Sequence, residues 1–368
     1  MIENDQISEN LLQWYQLNKR NLPWRDTNDP YKIWISEIMS QQTRVDTVIP
    51  YFNRFIEAYP DVQSLAGADR QEVLKLWEGL GYYSRCRNLY QTANDIVSDF
   101  KGTIPSKYEE IISLKGIGPY TAAAILSIAY QKKYAVMDGN VIRVLTRYFG
   151  IREDTRNSHT KKSVQDIADQ LIPEDQPGNF NQALMELGAL VCKPANPLCD
   201  NCPISVHCQA YQMTETDTIP YKSPAKKVPH YEIAVGLIVN QNGELLITLR
   251  PDKGMLGGLW EFPGGKKEPE ETLKKTVERE MKEELNIDVI VYNKMKVLKH
   301  AYSHFRITMH AYWCSIQNGT PKPITSDKLI WVSLNEIDQY PFPKANKTLI
   351  DELKQMENDD LTRFLNKL

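Results

Sequence analysis

Apolar positions in the first half of the chain recur at helical spacing. Between residues 31 and 49, Trp34, Ile35, Ile38, Met39, Val45, Val48 and Ile49 share one face, which predicts a single helix after the break at Asp29 and Pro30. Gln41 and Gln42 fall inside that apolar face, and Glu37 falls at its edge; polar groups there are costly without partners. Similar patterns predict a helix over 9–17, two helices within 62–100 and further helices over 161–190. After residue 229 the period shortens. Residues 232–239, 244–250, 302–314 and 329–332 read as strands, with one helix over 272–285 among them. Between the two patterns, residues 214–229 are polar, carry Pro220, Pro224 and Pro229, and include Lys226 and Lys227, as a linker would. The expectation is two domains: an all-α domain over 1–213 and a separate α/β (α+β) domain over 230–368.

Composition agrees with two cores: 368 residues, 42% hydrophobic and 25% charged. No apolar run is long enough to span a bilayer. The polar, acidic first ten residues resemble neither a secretory signal nor an Arg-rich transit peptide, so a cytoplasmic protein is expected. A net charge of −3 argues against coating nucleic acid by bulk charge and leaves room for a local basic groove.

Several stretches carry candidate chemistry. The run Leu-Lys-Gly-Ile-Gly-Pro-Tyr-Thr-Ala over 114–122 precedes a small-residue helix, and Met-Asp-Gly-Asn-Val over 137–141 opens another. Gly116 and Gly118 suit a sharp turn whose backbone N–H groups can point at a phosphate. The pattern fits a helix–hairpin–helix that grips a DNA backbone and delivers Asp138 to it; an ordinary αα-hairpin with a helix capped by Asp138 fits as well. A Glu37 carboxyl beside apolar surface would keep a proton for donation, unless an Arg pairs with it. Arg20, Trp24 and Arg25 form a basic turn with an aromatic. Gly79, Gly81, Tyr82 and Tyr83, followed by Arg85 and Arg87, suit a loop that wedges between bases, or a helix-linking turn with Tyr in the core.

Cys192, Cys199, Cys202 and Cys208 are separated by six, two and five residues. That uneven spacing is unlike the paired arms of a zinc ribbon, so the four thiolates favour a [4Fe–4S] cluster over zinc. A disulfide pair is the alternative, weakened by the lack of a secretory signal. Lys193, in the first cysteine loop, could meet a phosphate. In the C-terminal half, Gly265, Glu271, Arg279, Glu280, Glu283, Glu284 and Ile287 form a spaced set. Glu280, Glu283 and Glu284 share one side of a helix, as a Mg²⁺ site or as a solvated acidic face.

On these motifs residues 1–213 resemble the helix–hairpin–helix, iron–sulfur DNA glycosylases, and the whole chain resembles the MutY family of bacterial adenine DNA glycosylases. The resemblance implies excision of adenine mispaired with 8-oxoguanine or guanine, by a cytoplasmic, nucleoid-associated monomer with duplex DNA as its partner. Glu37 matches the acid that protonates the flipped adenine, and Asp138 the carboxylate that stabilises the oxocarbenium-like sugar. Asn140 and Tyr120 match polar neighbours of that site. Arg20 and Gln182 match the lining of the adenine pocket, and Gln42 and Tyr82 the residues beside the lesion. The four cysteines match the cluster ligands.

The C-terminal domain resembles a Nudix-like domain that reads 8-oxoguanine, with Tyr302, Ser303 and His304 matching the reading loop. Tyr120 stands where strand-cutting relatives carry Lys, which implies a glycosylase without strong lyase activity. Three departures stand out. Ser40 replaces the usual Leu, Tyr302 replaces Phe, and the Nudix box is nearly intact, with Asn286 in place of its Gly. The last leaves a bifunctional protein with a live nucleoside diphosphate hydrolase as the alternative.

Overall fold

The computed structural model describes residues 2–224 and 227–356; Lys226 of the expected linker lies outside them. Contacts divide the chain into two compact units, Met1–Gly67 with Asn88–Ala225 and Ala68–Arg87 with Lys226–Leu368. The sequence pattern had put 68–87 with the helical domain.

The helices are α1 (Ile2–Asn18), α2 (Pro30–Ser40), α3 (Val45–Ala58), α4 (Val62–Ala66), α5 (Arg70–Leu76), α6 (Tyr83–Asp99), α7 (Tyr108–Ser113), α8 (Pro119–Ile128), α9 (Gly139–Tyr148), α10 (Ser158–Leu171), α11 (Pro177–Leu190) and α12 (Gln209–Gln212). Asp29 caps α2 by accepting from Tyr31 N, with Pro30 at the first helical position. The single helix expected over 31–49 is two. Its amides at Gln41 and Gln42 would have pointed into the core, and a break between Ser40 and Val45 removes them. Gln42 is exposed at φ 56°, and Gln41 donates to Thr121 Oγ1 at 3.2 Å. The span 62–100 likewise holds three helices rather than two, because Asp69 starts a fresh helix by accepting from Gln71 N and Glu72 N.

Small residues let the helices of the first unit approach closely. Ala122, Ala123 and Ala124 are buried on α8. A Cβ on Gly188 of α11 would lie 2.5 Å from Asn140 Cβ and 3.0 Å from Asn140 Cα, so α11 rests directly on the start of α9.

The second unit contains two sheets. Strands β1 (His230–Ile238), β2 (Leu245–Leu249), β3 (Trp260–Glu261) and β4 (Gly264–Lys266) precede α13 (Leu273–Leu285); β5 (Asp288–Ala301), β6 (Arg306–Asn318), β7 (Lys328–Val332) and α14 (Lys344–Gln355) follow it. One sheet has the order β4-β1-β6-β5, with β1 and β6 parallel, and the other has the order β3-β2-β7. Alternation along β1 sets the layers. Val235 and Leu237 face a core shared with the second sheet and α14, while Ala234 and Ile238 face Val277, Met281 and Leu285 of α13. Asn286 ends α13 in the left-handed conformation, at φ 55°.

Two expectations about strands are corrected. The strand foreseen from residue 302 begins at Arg306, because Tyr302 N donates to Phe305 O at 2.8 Å and closes a turn. β5 was not foreseen. It lies at a sheet edge and carries register shifts between Val291 and Lys296, so its sequence does not alternate cleanly.

Gly188→Ala is expected to destabilise the protein by about 1–3 kcal/mol, since α9 must move to admit one methyl group. Thermal unfolding followed by far-UV circular dichroism checks this; an unchanged transition would show that α11 and α9 can separate freely.

Candidate active site

Two carboxylates come together in the first unit. Glu37, in the last turns of α2, is buried, at 9% exposure. Tyr120, at the start of α8, donates its hydroxyl to Glu37 Oε2 at 2.6 Å and also lies 3.3 Å from Met185 Sδ. Burial raises the Glu37 carboxyl to about 7; Tyr120 and Arg25 oppose this, and the nearby Asp138 charge adds to it. The Tyr120 hydroxyl is itself pushed well up, by burial and by the charges of Glu37 and Asp138.

Asp138 caps α9. Its Oδ1 accepts from Asn140 N and Val141 N, each at 2.8 Å, and Oδ2 accepts from Asn140 Nδ2 at 2.8 Å. Burial raises its pKa, against these N–H donors and the Arg143 charge. The capped helix and the delivered carboxylate are therefore compatible. One oxygen holds the helix start, and the other meets a single amide.

Around this pair lies a second, basic layer. Glu186 on α11 accepts from Arg20 N (2.9 Å), Arg20 Nε (2.8 Å) and Arg25 Nη2 (2.9 Å). Burial would raise the Glu186 carboxyl, but these bonds outweigh it and hold it at about 2. Arg25 lies 5.4 Å over the Tyr15 ring, and its buried Nε and Nη1 have no hydrogen-bond partner among the described residues. Trp24 packs edge-on to Phe52, with centroids 5.1 Å apart. Gln182 lies one turn before Glu186 on α11, half-buried. The hairpin glycines are exposed. Gly116 sits at φ 81°, where a Cβ would meet Asn88 Cβ at 2.7 Å, and Gly118 leads α8 without a side-chain cap. That leaves the first N–H groups of α8 open to an anion.

Glu186 and two arginines escaped the sequence reading. Arg143 donates to Asn140 Oδ1 (2.9 Å), Gly188 O (2.8 Å) and Cys192 O (2.6 Å). Arg147, 2% exposed, donates to Ile219 O, Lys193 O and Thr216 O, and lies 3.4 Å from Cys192 Sγ. Their signal was present: charged residues spaced four apart inside apolar stretches of α9, and Glu186 between Met185 and Leu187.

The four cysteines of the 192–208 loop are half-buried and none is in a disulfide. Backbone N–H groups of Ile204 and of Tyr211 and Ala210 face the sulfurs of Cys202 and Cys208. Burial, with the neighbouring sulfurs, raises the Cys202 thiol to about 12 and lifts Cys199 and Cys208 as well. Among the described residues, no group of three or more His, Cys, Asp or Glu is drawn together as it would be around one metal ion. Lys193 is exposed.

The remaining expected residues lie in the second unit. Tyr82, 39% exposed at φ 49°, accepts a hydrogen bond from Ser303 Oγ at 2.6 Å. Ser303 and His304 are exposed in the turn between β5 and β6, and Tyr302 stacks on Phe305, with centroids 4.7 Å apart. Arg279 pairs with Glu271, Glu280 and Glu283 and donates to Lys266 O, which ties α13 to β4. Glu284 accepts from Gly264 N at 3.0 Å and is raised to about 8, by burial and by the Glu261 charge.

Comparison with known proteins meets this geometry. Residues 35–173 match the model of the HhH-GPD superfamily of base excision DNA repair proteins, and residues 234–352 match a NUDIX domain. Adenine DNA glycosylase of Rattus norvegicus is 35% identical over 92% of this chain and 76% of its own length. That of Buchnera aphidicola (subsp. Schizaphis graminum) is 34% identical over 95% of this chain and 99% of its own. The chain belongs to the adenine DNA glycosylase family. It is a DNA glycosylase of base excision repair, built as a helix–hairpin–helix domain followed by a Nudix domain. The solved structure of a thermostable thymine-DNA glycosylase matches 57% of the chain and 97% of that protein, with a TM-score of 0.52 and 29% identity. No helix among the described residues is long and apolar enough to cross a membrane.

The raised Glu37 carboxyl has a consequence for stability. Its folded pKa, about 7, lies above the ordinary carboxylate value, so its unfavourable contribution is absent at low pH and grows as pH rises through the interval up to 7. Glu37→Gln should therefore stabilise the protein at pH 8, by about 3 kcal/mol at most, and leave it unchanged near pH 4. Tm measured at the two pH values checks this; equal shifts at both would remove the buried-charge account.

Proposed function

We propose that this protein excises adenine mispaired with 8-oxoguanine or guanine in duplex DNA, by hydrolysis of the N-glycosidic bond and without cutting the strand. The observation that carries the reading is the placement of two carboxyl groups near each other: Glu37, buried and hydrogen-bonded by Tyr120, and Asp138, braced by the N–H groups of Asn140 and Val141. Adenine leaves poorly until it is protonated, so an acid is required. Cleavage builds positive charge on the sugar, so a fixed anion is required. The base must leave the stack before either can act.

Tyr120 holds Glu37 in place and, being a phenol where a lyase needs an amine, offers no Schiff-base nucleophile. Asn140 orients Asp138. Arg20, Trp24, Arg25 and Gln182 suit the lining of the adenine pocket, and the unpartnered Nε and Nη1 of Arg25 suit an acceptor on the DNA. Gly116 and Gly118 suit a phosphate. Gln42 and Tyr82 would enter the duplex beside the lesion, and Tyr302, Ser303 and His304 would read the opposite base.

Cys192, Cys199, Cys202 and Cys208 fit a [4Fe–4S] cluster. A cubane meets its four thiolates at four separate irons, so they need not converge on one point as zinc requires. The N–H groups and Arg147 aimed at the sulfurs suit thiolates. When bound, the cluster would brace the loop that Arg143 and Arg147 tie to α9.

Single-turnover incubation with a duplex holding one adenine opposite 8-oxoguanine, with and without alkali, tests the activity. Wild type should yield alkali-dependent strand breaks. Asp138→Asn, which keeps a helix-capping side chain, should lose about 10²–10³ in rate. Tight binding without base release by wild type would contradict the catalytic reading.

The rate should also fall about tenfold per pH unit above 7, as Glu37 loses its proton, and fall again on the acid side as Asp138 gains one. A single-turnover rate that stays flat from pH 6 to 9 would exclude Glu37 as the acid.

A further inference from the structure

Ala68–Arg87 belongs by contact to the C-terminal unit. A row of polar bonds fastens it there. Arg70 pairs with Asp252 through both guanidinium ends. Gln71 uses both ends of its amide: Nε2 donates to Gly258 O at 3.0 Å, and Oε1 accepts from Trp260 Nε1 at 3.0 Å. Glu78 Oε1 accepts from Phe342 N at 2.8 Å, and Tyr83 Oη donates to Phe342 O at 3.2 Å. Arg87 donates to Gly257 O at 2.8 Å. At the tip, Ser303 reaches Tyr82. The segment, the 254–256 loop and the 300–304 turn together wall a cavity of about 500 Å³.

These bonds are demanding. The Gln71 amide offers a donor and an acceptor on one planar group at the end of a flexible stem, so an apolar side chain of the same length cannot replace it. Trp260 is 5% exposed, and without Gln71 its N–H would be buried and unsatisfied. The wedge tip and the reading turn are thus held in one frame, although Tyr82 and Ser303 are far apart in sequence.

We propose that Gln71 and Glu78 are positioning residues for partner-base discrimination: they join the Tyr82 wedge to the 302–304 turn, so that the two meet DNA as one body. The inference rests on the assignment of that turn to reading the base opposite adenine. With 8-oxoguanine seated in the turn, the wedge lies in register; with guanine it does not.

The test compares single-turnover rates on adenine opposite 8-oxoguanine and adenine opposite guanine. Gln71→Met keeps the side-chain length and removes both bonds. Its ratio of the two rates should fall about tenfold, the scale of one or two lost hydrogen bonds. General destabilisation would lower both rates and leave the ratio in place, so an unchanged ratio overturns the proposal. The double variant Ser303→Ala, His304→Ala separates the two levels. If it lowers the ratio while Gln71→Met does not, the turn reads the base and the link alone has failed. If neither variant lowers it, the reading assignment has failed and the proposal falls with it.

Hydrogen exchange on the wild-type chain decides the matter even if Gln71→Met does not fold. With a duplex holding 8-oxoguanine opposite an uncleavable adenine analogue, amides of 68–87 and 254–262 should gain protection together with 300–305. Protection confined to 300–305, or absent from it, overturns the proposal.

Discussion

A carboxyl group kept out of water dominates the first unit. Glu37 is a poor choice for a core position on energetic grounds, because burial opposes its charged form. It is tolerated there because Tyr120 supplies a hydrogen bond and because the side chain can keep its proton. Much of the surrounding architecture follows from holding that group beside Asp138. α2 must carry Glu37 inward, α8 must bring Tyr120 to it, and α9 must begin where Asp138 can be braced. The close contact of Gly188 with Asn140 sets that starting point to within a methyl group.

The two arginines of α9 extend the same constraint outward. Arg143 collects a side chain of the Asp138 turn, a carbonyl of α11 and a carbonyl at the head of the cysteine loop. Arg147, one turn on, collects four carbonyls from the cysteine loop and the segment behind it. Such acceptors offset the cost of burying a guanidinium group. The helix that presents Asp138 is therefore anchored at its middle and in its last turn, to α11, to the cysteine loop and to the segment behind that loop.

Much of this was legible in the sequence, and for identifiable reasons. Glu37 stood out because it lies at the edge of an apolar helical face, and the Asp138 turn because its residues fit both a cap and a carboxylate. The cysteine loop was visible from spacing alone. What could not be read was long-range satisfaction. Nothing local to Glu186 names Arg20 and Arg25 as its partners, and nothing local to Gln71 names Trp260. β5 was hidden because an edge strand with bulges does not alternate. The break after Ser40 was hinted at by two glutamines in an apolar face, but periodicity alone preferred one longer helix.

Gln42 and Tyr82 share one more property. Both are non-glycine residues in the left-handed region, at φ 56° and 49°, where a side chain costs stability that glycine would not. The backbone at each tip would favour glycine, while the proposed task requires a side chain. Directed evolution of this protein under heat or protease selection would therefore be drawn toward Gly at these two positions. The survivors would be hardier proteins with blunted tips.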